Sequence, residues 1–182
     1  MMKYIKKFVG EKVYFSSMSI DDAEQYVEWL ADRSISDNLG NTVDLLSIEQ
    51  ERDWIINAGA KGDVNFAIID KETDELIGNC SLMKIDRIHR HAIIGIFIGD
   101  ESKRGHGYGT DALKLLLKYA FSFQNMHSLH LEVFSFNQRA IQCYEKLGFQ
   151  KVGTLHEAYF LDGKYYDIIF MEILEDNYQN NL

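Results

Sequence analysis

The stretch from Arg90 to Phe134 constrains this chain more than any other. "RHAIIGIFIGD" is an almost unbroken apolar run, the pattern of a central strand buried on both faces of a sheet. "KRGHGYGTD" follows from Lys103 to Asp111, with glycine at 105, 107 and 109 and two cations at its head. It leads into the helical pattern "TDALKLLLKYAFSF", after which "SLHLEVF" alternates as another strand. Strand, loop, helix and strand make one β–α–β crossover, which commits the chain to an α/β fold.

The flanking segments fill in the rest. Proline is absent, so boundaries are read from glycine, capping residues and changes of period. Lys12–Ser17 reads as a first strand. "SIDDAEQYVEWLADR" reads as an amphipathic helix capped by Ser19, with Ala23, Tyr26, Val27 and Leu30 on one face. A second helix near Ser47–Ala58 starts on "SIEQ" and carries Trp54, Ile55 and Ile56. "VNFAIID" and "ELIGNCSLMKI" form a hairpin around "KETD", and Gly95 in the following strand marks a bulge or a close backbone approach. "NQRAIQCYEKLG" is a short helix, and two strands around "LDG" end the series. The expected order is β–α–α–β–β–β–α–β–α–β–β in a mixed sheet.

Composition narrows the function. A length of 182 residues suits one domain and needs no disulfide or metal staple. Cys80 and Cys143 lie far apart in no metal-like spacing, as free thiols of a reducing compartment do. No apolar run approaches a membrane span, and no signal peptide stands at the start. A net charge of −9 opposes nucleic-acid binding and favours a cationic ligand. These features point to a cytoplasmic protein with no membrane or nucleic-acid partner and no bound metal. They leave a homo-oligomer open.

Against that acidic background the loop is a local exception. A glycine-rich turn opening a helix aims unpaired amides and the positive end of the helix dipole at one spot. Gly105, Gly107 and Gly109 can turn successive N–H groups toward a phosphate, while Lys103, Arg104 and His106 add charge and Thr110 a hydroxyl. The loop lacks the lysine of a P-loop and misses the G-x-G-x-x-G dinucleotide spacing by one residue. Glu132, at the end of the next strand, stands where a ribose-binding acid would, but no further β–α units follow. A flexible surface loop without a ligand is the plain alternative.

Arg104, Gly107 and Gly109 do satisfy R-x-x-G-x-G. Downstream, "NQRAIQCYEKLGF" has Asn137 as a helix N-cap, Ala140, Ile141, Tyr144 and Leu147 as a buried face, and Gly148 as a left-handed terminator with Phe149 beyond it. In this order and at this distance the two motifs resemble those of the GCN5-related N-acetyltransferases, or GNAT family. That family pairs [QR]-x-x-G-x-[GA] with N-x(2)-A/S-x(3)-Y-E-K-x-G-F. The resemblance covers about Ala92–Leu174 well and the first ninety residues in element order only. It is nearest the subgroup acting on ribosomal-protein N-termini and spermidine.

The resemblance implies a single acetyltransferase domain over residues 1–182 with a splayed central sheet. It makes acetyl-CoA the co-substrate, its pyrophosphate held by Arg104, Gly105, His106, Gly107, Tyr108, Gly109 and Thr110. The pantetheine arm would pair with the main chain of Ile96, Phe97 and Ile98, and Asn137 would bind near the pantetheine amide. Tyr144 would protonate or hydrogen-bond the departing sulfur, which a neutral phenol can do without tuning. Relatives that read "A-E-I-G" carry a glutamate where this chain has Ile93. Glu132 and His91, each acting through water, are the alternatives for a base.

For the acceptor the resemblance points to the first helices and the last hairpin, which here are acidic and aromatic. Asp21, Asp22, Glu24, Glu28, Asp32, Trp29 and Trp54 stand early, with Tyr159, Tyr165, Tyr166 and Asp167 late. Such a mouth suits a cationic amine: a protein N-terminus, a polyamine or an amino sugar. The competing classes are a non-catalytic acyl-CoA-binding module and a nucleotide-binding oxidoreductase.

Overall fold

Eight strands form one mixed sheet in this computed structural model, in which residues 3–60 and 62–179 are described. They are β1 (Phe8–Val9), β2 (Val13–Ser16), β3 (Val64–Asp70), β4 (Leu76–Asp86), β5 (His91–Ile98), β6 (Ser128–Phe134), β7 (Gln150–Leu161) and β8 (Lys164–Leu174). Their spatial order is β1-β2-β3-β4-β5-β6-β8-β7. Neighbours run antiparallel except β5 and β6, which the crossover makes parallel. The fold class is the one the sequence announces.

Among the described residues six α-helices accompany the sheet: α1 (Ala23–Ala31), α2 (Arg33–Leu39), α3 (Ile48–Asn57), α4 (Tyr108–Lys118), α5 (Gln138–Lys146) and α6 (Glu175–Gln179). The predicted first helix divides. Ser19 caps only a short 3₁₀ turn at Ile20–Asp22, and the chain breaks at Asp32, whose carboxylate accepts the Ser34 amide and starts α2. A Ser-Asp-rich heptad carries too little apolar periodicity to announce α2. In α3 the predicted capping box is present at Ser47 and Gln50. Trp54 and Ile56 nevertheless stay 45% and 65% exposed, while Glu51 is buried. The last turn of the predicted long helix widens at Tyr119–Phe123 into a π turn.

One face of the sheet holds the main core. Ala92 and Ile94 of β5, Leu129, Leu131 and Val133 of β6, and Met171 and Ile173 of β8 pack with Leu113, Leu116 and Leu117 of α4 and Ile141 of α5. On the other face Phe97 meets Tyr26 and Trp29 of α1 edge to face. Neither the bulge nor the close backbone approach expected at Gly95 is present. Its register with Ser81 is regular, and a Cβ there would meet side-chain ends, the Met83 methyl at 3.1 Å and Ser81 Oγ at 3.2 Å.

The parallel pair is short. Its registers are His91↔Ser128, Ala92↔Leu129 and Ile93↔His130. Beyond them β5 stays with β4 as far as Ile98, and β6 stays with β8 as far as Phe134. The sheet therefore opens into a notch between Ile94–Ile98 and Leu131–Phe134. Each side of the notch keeps its outer partner, so parting costs only the hydrogen bonds of one half-strand.

Candidate active site

The glycine loop stands where β5 hands over to α4, at the wide end of this notch. Gly105 and Gly107 have φ of +80° and +86°, in the left-handed region that glycine reaches without strain. Gly107 is the N-cap of α4, and among the described residues no amide from Gly105 to Thr110 donates to another protein group. Those free donors and the α4 dipole are the features an anion cradle requires. Gly109 differs from the expectation. It lies in the helix at ordinary φ, and a Cβ there would meet Ile98 at 3.5 Å, an ordinary contact.

The predicted cations are used otherwise. Lys103 Nζ pairs at 2.6 Å with Asp70, which is 1% exposed. Burial pushes the Asp70 carboxyl up, but Lys103, the Glu72 and Thr73 amides and the Tyr108 hydroxyl together hold it below the usual range. Arg104 turns back to brace the end of β5. Its guanidinium donates to the carbonyls of Ile98 (3.0 Å) and Gly99 (2.8 Å) and to Ser34 Oγ (3.1 Å). Thr110 caps nothing, and its hydroxyl lies 3.3 Å from Cys143 Sγ. A cation the sequence analysis misses is Lys12, whose stem would meet a Cβ on Gly107 at 3.7 Å and whose ammonium sits over the Tyr108 ring.

Asp111 is a second omission. Its buried carboxylate accepts the amides of Glu11 (3.1 Å), Lys12 (2.8 Å) and Val13 (3.0 Å), fixing the start of α4 to the turn before β2. Gly10 makes room for it, since a Cβ there would come within 2.5 Å of Asp111 Oδ2. No local pattern announces contacts that span about a hundred residues of sequence.

On the other side of the notch α5 forms as predicted. Asn137 accepts the Ala140 amide at 3.1 Å. The helix ends in a Schellman arrangement, with Gly148 donating to Glu145 and Phe149 to Tyr144, and the Tyr144 and Phe149 rings in contact at 5.7 Å. Gly148 takes the expected left-handed φ of +97°. Tyr144 is half-buried, packed against the core beside Cys143, and its hydroxyl bonds no group among the described residues. Burial, and secondarily Cys143, pushes its pKa up to about 12, so at neutral pH it is a proton donor.

The opposite face of the sheet carries the polar and aromatic groups. His91 and Ile93 of β5 and His130, Glu132 and Phe134 of β6 point there, alternating with the core residues. Phe134 stacks on Tyr159 of β7 at 3.9 Å between centroids, and Phe136 joins Tyr166 at 4.9 Å. The Tyr159 hydroxyl lies 2.8 Å from Thr42 Oγ1 and donates to the Asp37 carbonyl of α2. This aromatic wall borders the wide end of the notch, with Asp37, Asp162 and Asp167 near it. Asp162 is paired with Arg33 and Asp167 with His156. The proposed bases separate: Glu132 is exposed, while His91 lies before the notch with Asp86 3.9 Å away.

A splayed sheet, a loop of free amides ahead of a helix and a half-buried tyrosine across the gap are the parts of an acyl-CoA-dependent transferase. The family model of the acetyltransferase (GNAT) domain matches residues 12–150, and the chain belongs to that family. It is 30% identical over 172 residues to the N-acetyltransferase p20 of Bacillus licheniformis, covering 92% of this chain and 96% of the relative. It is 34% identical over 113 residues to spermidine N(1)-acetyltransferase of Vibrio cholerae, covering 62% of this chain and 65% of that one. Among solved structures, spermidine N-acetyltransferase from Vibrio cholerae in complex with CoA and spermine superposes with a TM-score of 0.83 and 26% identity. That match covers 93% of this chain and 99% of the other. The chain is an acetyltransferase by family and fold. No described helix is long and apolar enough to cross a membrane, and no described cluster of side chains is arranged to hold a metal.

Proposed function

We propose that this chain transfers the acetyl group of acetyl-CoA to a primary amine of a polyamine. The observation that carries the reading is the notch itself, with free amides from Gly105 to Thr110 at one end and the Tyr144 hydroxyl at its flank. In this reading the amides of Gly105, His106, Gly107, Tyr108, Gly109 and Thr110 take the pyrophosphate. Arg104 acts indirectly by fixing the end of β5, and Lys12 adds charge. Ile96, Phe97 and Ile98, which lack β6 as a partner, offer main-chain groups to the pantetheine arm. Asn137 holds the α5 N-terminus beside it.

The bound co-substrate supplies an activated acetyl carbon. Around it a main-chain N–H of β5 steadies the developing oxyanion, and Tyr144 gives its proton to the leaving sulfur. The Phe134–Tyr159 wall and the uncompensated acidic charge of the chain favour a flexible cation, through cation–π contact and long-range attraction. The polyamine named for the Vibrio cholerae relative, and the spermine in its complex, support this choice over a peptide N-terminus or an amino sugar.

Calorimetric titration with acetyl-CoA, beside the Gly107→Glu variant, tests the cradle. Micromolar binding that the variant abolishes is expected, and absence of binding by the unaltered chain would sink the reading. Release of free thiol in the presence of spermidine, glucosamine or a short peptide then ranks the acceptors, with spermidine expected first.

A further inference from the structure

We infer that His130 takes the proton that the acceptor nitrogen sheds as it becomes an amide, an assignment that rests on the acetyltransferase reading above. A reacting carbon held in a continuous sheet can be reached from neither face. Where β5 and β6 part it can be reached from both, so the group that protonates sulfur and the group that deprotonates nitrogen can stand on opposite faces. Tyr144 occupies the core face with α5. On the open face the narrow end of the notch is marked by the last parallel register, Ile93↔His130. Ile93 has no titratable group, and the titratable side chain of that register is His130 of β6.

His130 meets the chemical requirements of a base and its neighbours do not. It is half-buried on the same face as the Phe134–Tyr159 wall, so an amine passing that wall meets the imidazole four residues back along the strand, beyond Glu132. His91 sits earlier, where the strands are still paired, with its Nδ1 buried and without a partner. Glu132 is exposed to solvent. The charged groups facing His130 are His91 on β5, its ring 5.8 Å away, Lys84 on β4, Glu132 on β6 itself and Glu172 on β8. Burial is the largest influence and lowers the imidazole pKa below its ordinary value. His91 and Lys84 lower it further, and Glu132 and Glu172 oppose them. The ring is thus neutral at physiological pH and has an open lone pair to offer.

The proton balance closes. The neutral amine bonds to the acetyl carbon while the carbon–sulfur bond breaks. Nitrogen loses one proton to His130, and sulfur gains one from Tyr144. Solvent then carries the proton from imidazolium back to phenolate, leaving amide and free thiol.

Two measurements test the assignment. The first follows the His130 ring by NMR against pH without turnover, expecting a midpoint below the ordinary 6.5 of an imidazole. The second compares kcat against pH for the unaltered chain, His130→Gln and Glu132→Gln, with acetyl-CoA affinity measured beside each. His130→Gln should lower kcat on the order of 10²-fold and remove the acid limb while leaving the acetyl-CoA Kd within about threefold. Added imidazole should restore part of the rate in His130→Ala. An acid limb that persists in His130→Gln, or that vanishes only in Glu132→Gln, would overturn the assignment while leaving the acetyltransferase reading intact. No turnover by the unaltered chain with any amine would instead defeat the reading on which it rests.

Discussion

At the scale of single residues, the same side-chain type is put to opposite uses by its surroundings. Tyr144 is a half-buried phenol whose hydroxyl bonds no described group, whereas Tyr108 shares its hydroxyl with Asp70 beneath two ammonium groups. Removing the hydroxyl in Tyr144→Phe should cut kcat on the order of 10²-fold, with acetyl-CoA affinity nearly unchanged, as read by thiol release and calorimetry. Asp70 is structural instead. Asp70→Asn strips the buried partner from Lys103 and should cost about 2–3 kcal/mol in denaturant unfolding at pH 7. A change under about 0.5 kcal/mol would show that Lys103 finds solvent without loss.

At the scale of elements, the loop and α4 act as one unit because Asp111 ties them to β2. Asp111→Ala would release the amides of Glu11, Lys12 and Val13 from their acceptor and should cost about 3 kcal/mol. The two motif glycines should then part company. Gly107→Ala forces a side chain into φ near +86° and should cost about 1–2 kcal/mol while weakening acetyl-CoA binding. Gly109→Ala adds a methyl at ordinary contact distance on a helical residue and should leave thermal stability unchanged or slightly raised. Thermal melts of the pair check this. Equal destabilisation would mean that Gly109 is also held by a backbone constraint. The [GA] alternative in the family pattern has its physical reason here.

At the scale of the molecule, pH should bound stability from both sides. The carboxyls of Asp32, Asp70, Asp74, Asp86 and Asp167 are all held below their ordinary value, by hydrogen bonds that outweigh burial where burial opposes them. A folded pKa below the unfolded one gives stability that is complete above about pH 4 and lost as pH falls through the folded values. Burial raises Tyr4, Tyr14, Tyr26, Tyr119, Tyr144 and Tyr178, with Tyr14 and Tyr144 pushed up to about 12. For these, stability is complete below about pH 10 and lost as pH rises toward 12. The melting temperature should therefore be level between roughly pH 5 and 9 and fall outside that range. Asp70→Asn should soften the acid side only. A melting temperature still rising between pH 5 and 3 would contradict the assignment of these carboxyls.

What the sequence by itself determined is whatever depends on neighbours along the chain. The strand periods, the Ser47 and Asn137 caps, the Gly148 terminator and the Asp162-Gly163 hairpin turn, both of whose residues have positive φ, are local energies written in local residues. Two local motifs at a fixed distance also carried the family. Only the tertiary structure decided what the charges do. Lys103 and Arg104 look like ligands for an anion, but a buried carboxylate on β3 and two carbonyls at the end of β5 claim them first. Asp111 and Lys12 gain their places from segments about a hundred residues apart, and His130 gains its place from a register that exists only once β6 lies beside β5. The reason is physical. Period and capping are short-range and additive along the chain, whereas a charged or titratable side chain takes its role from the dielectric, partners and register that folding assembles around it.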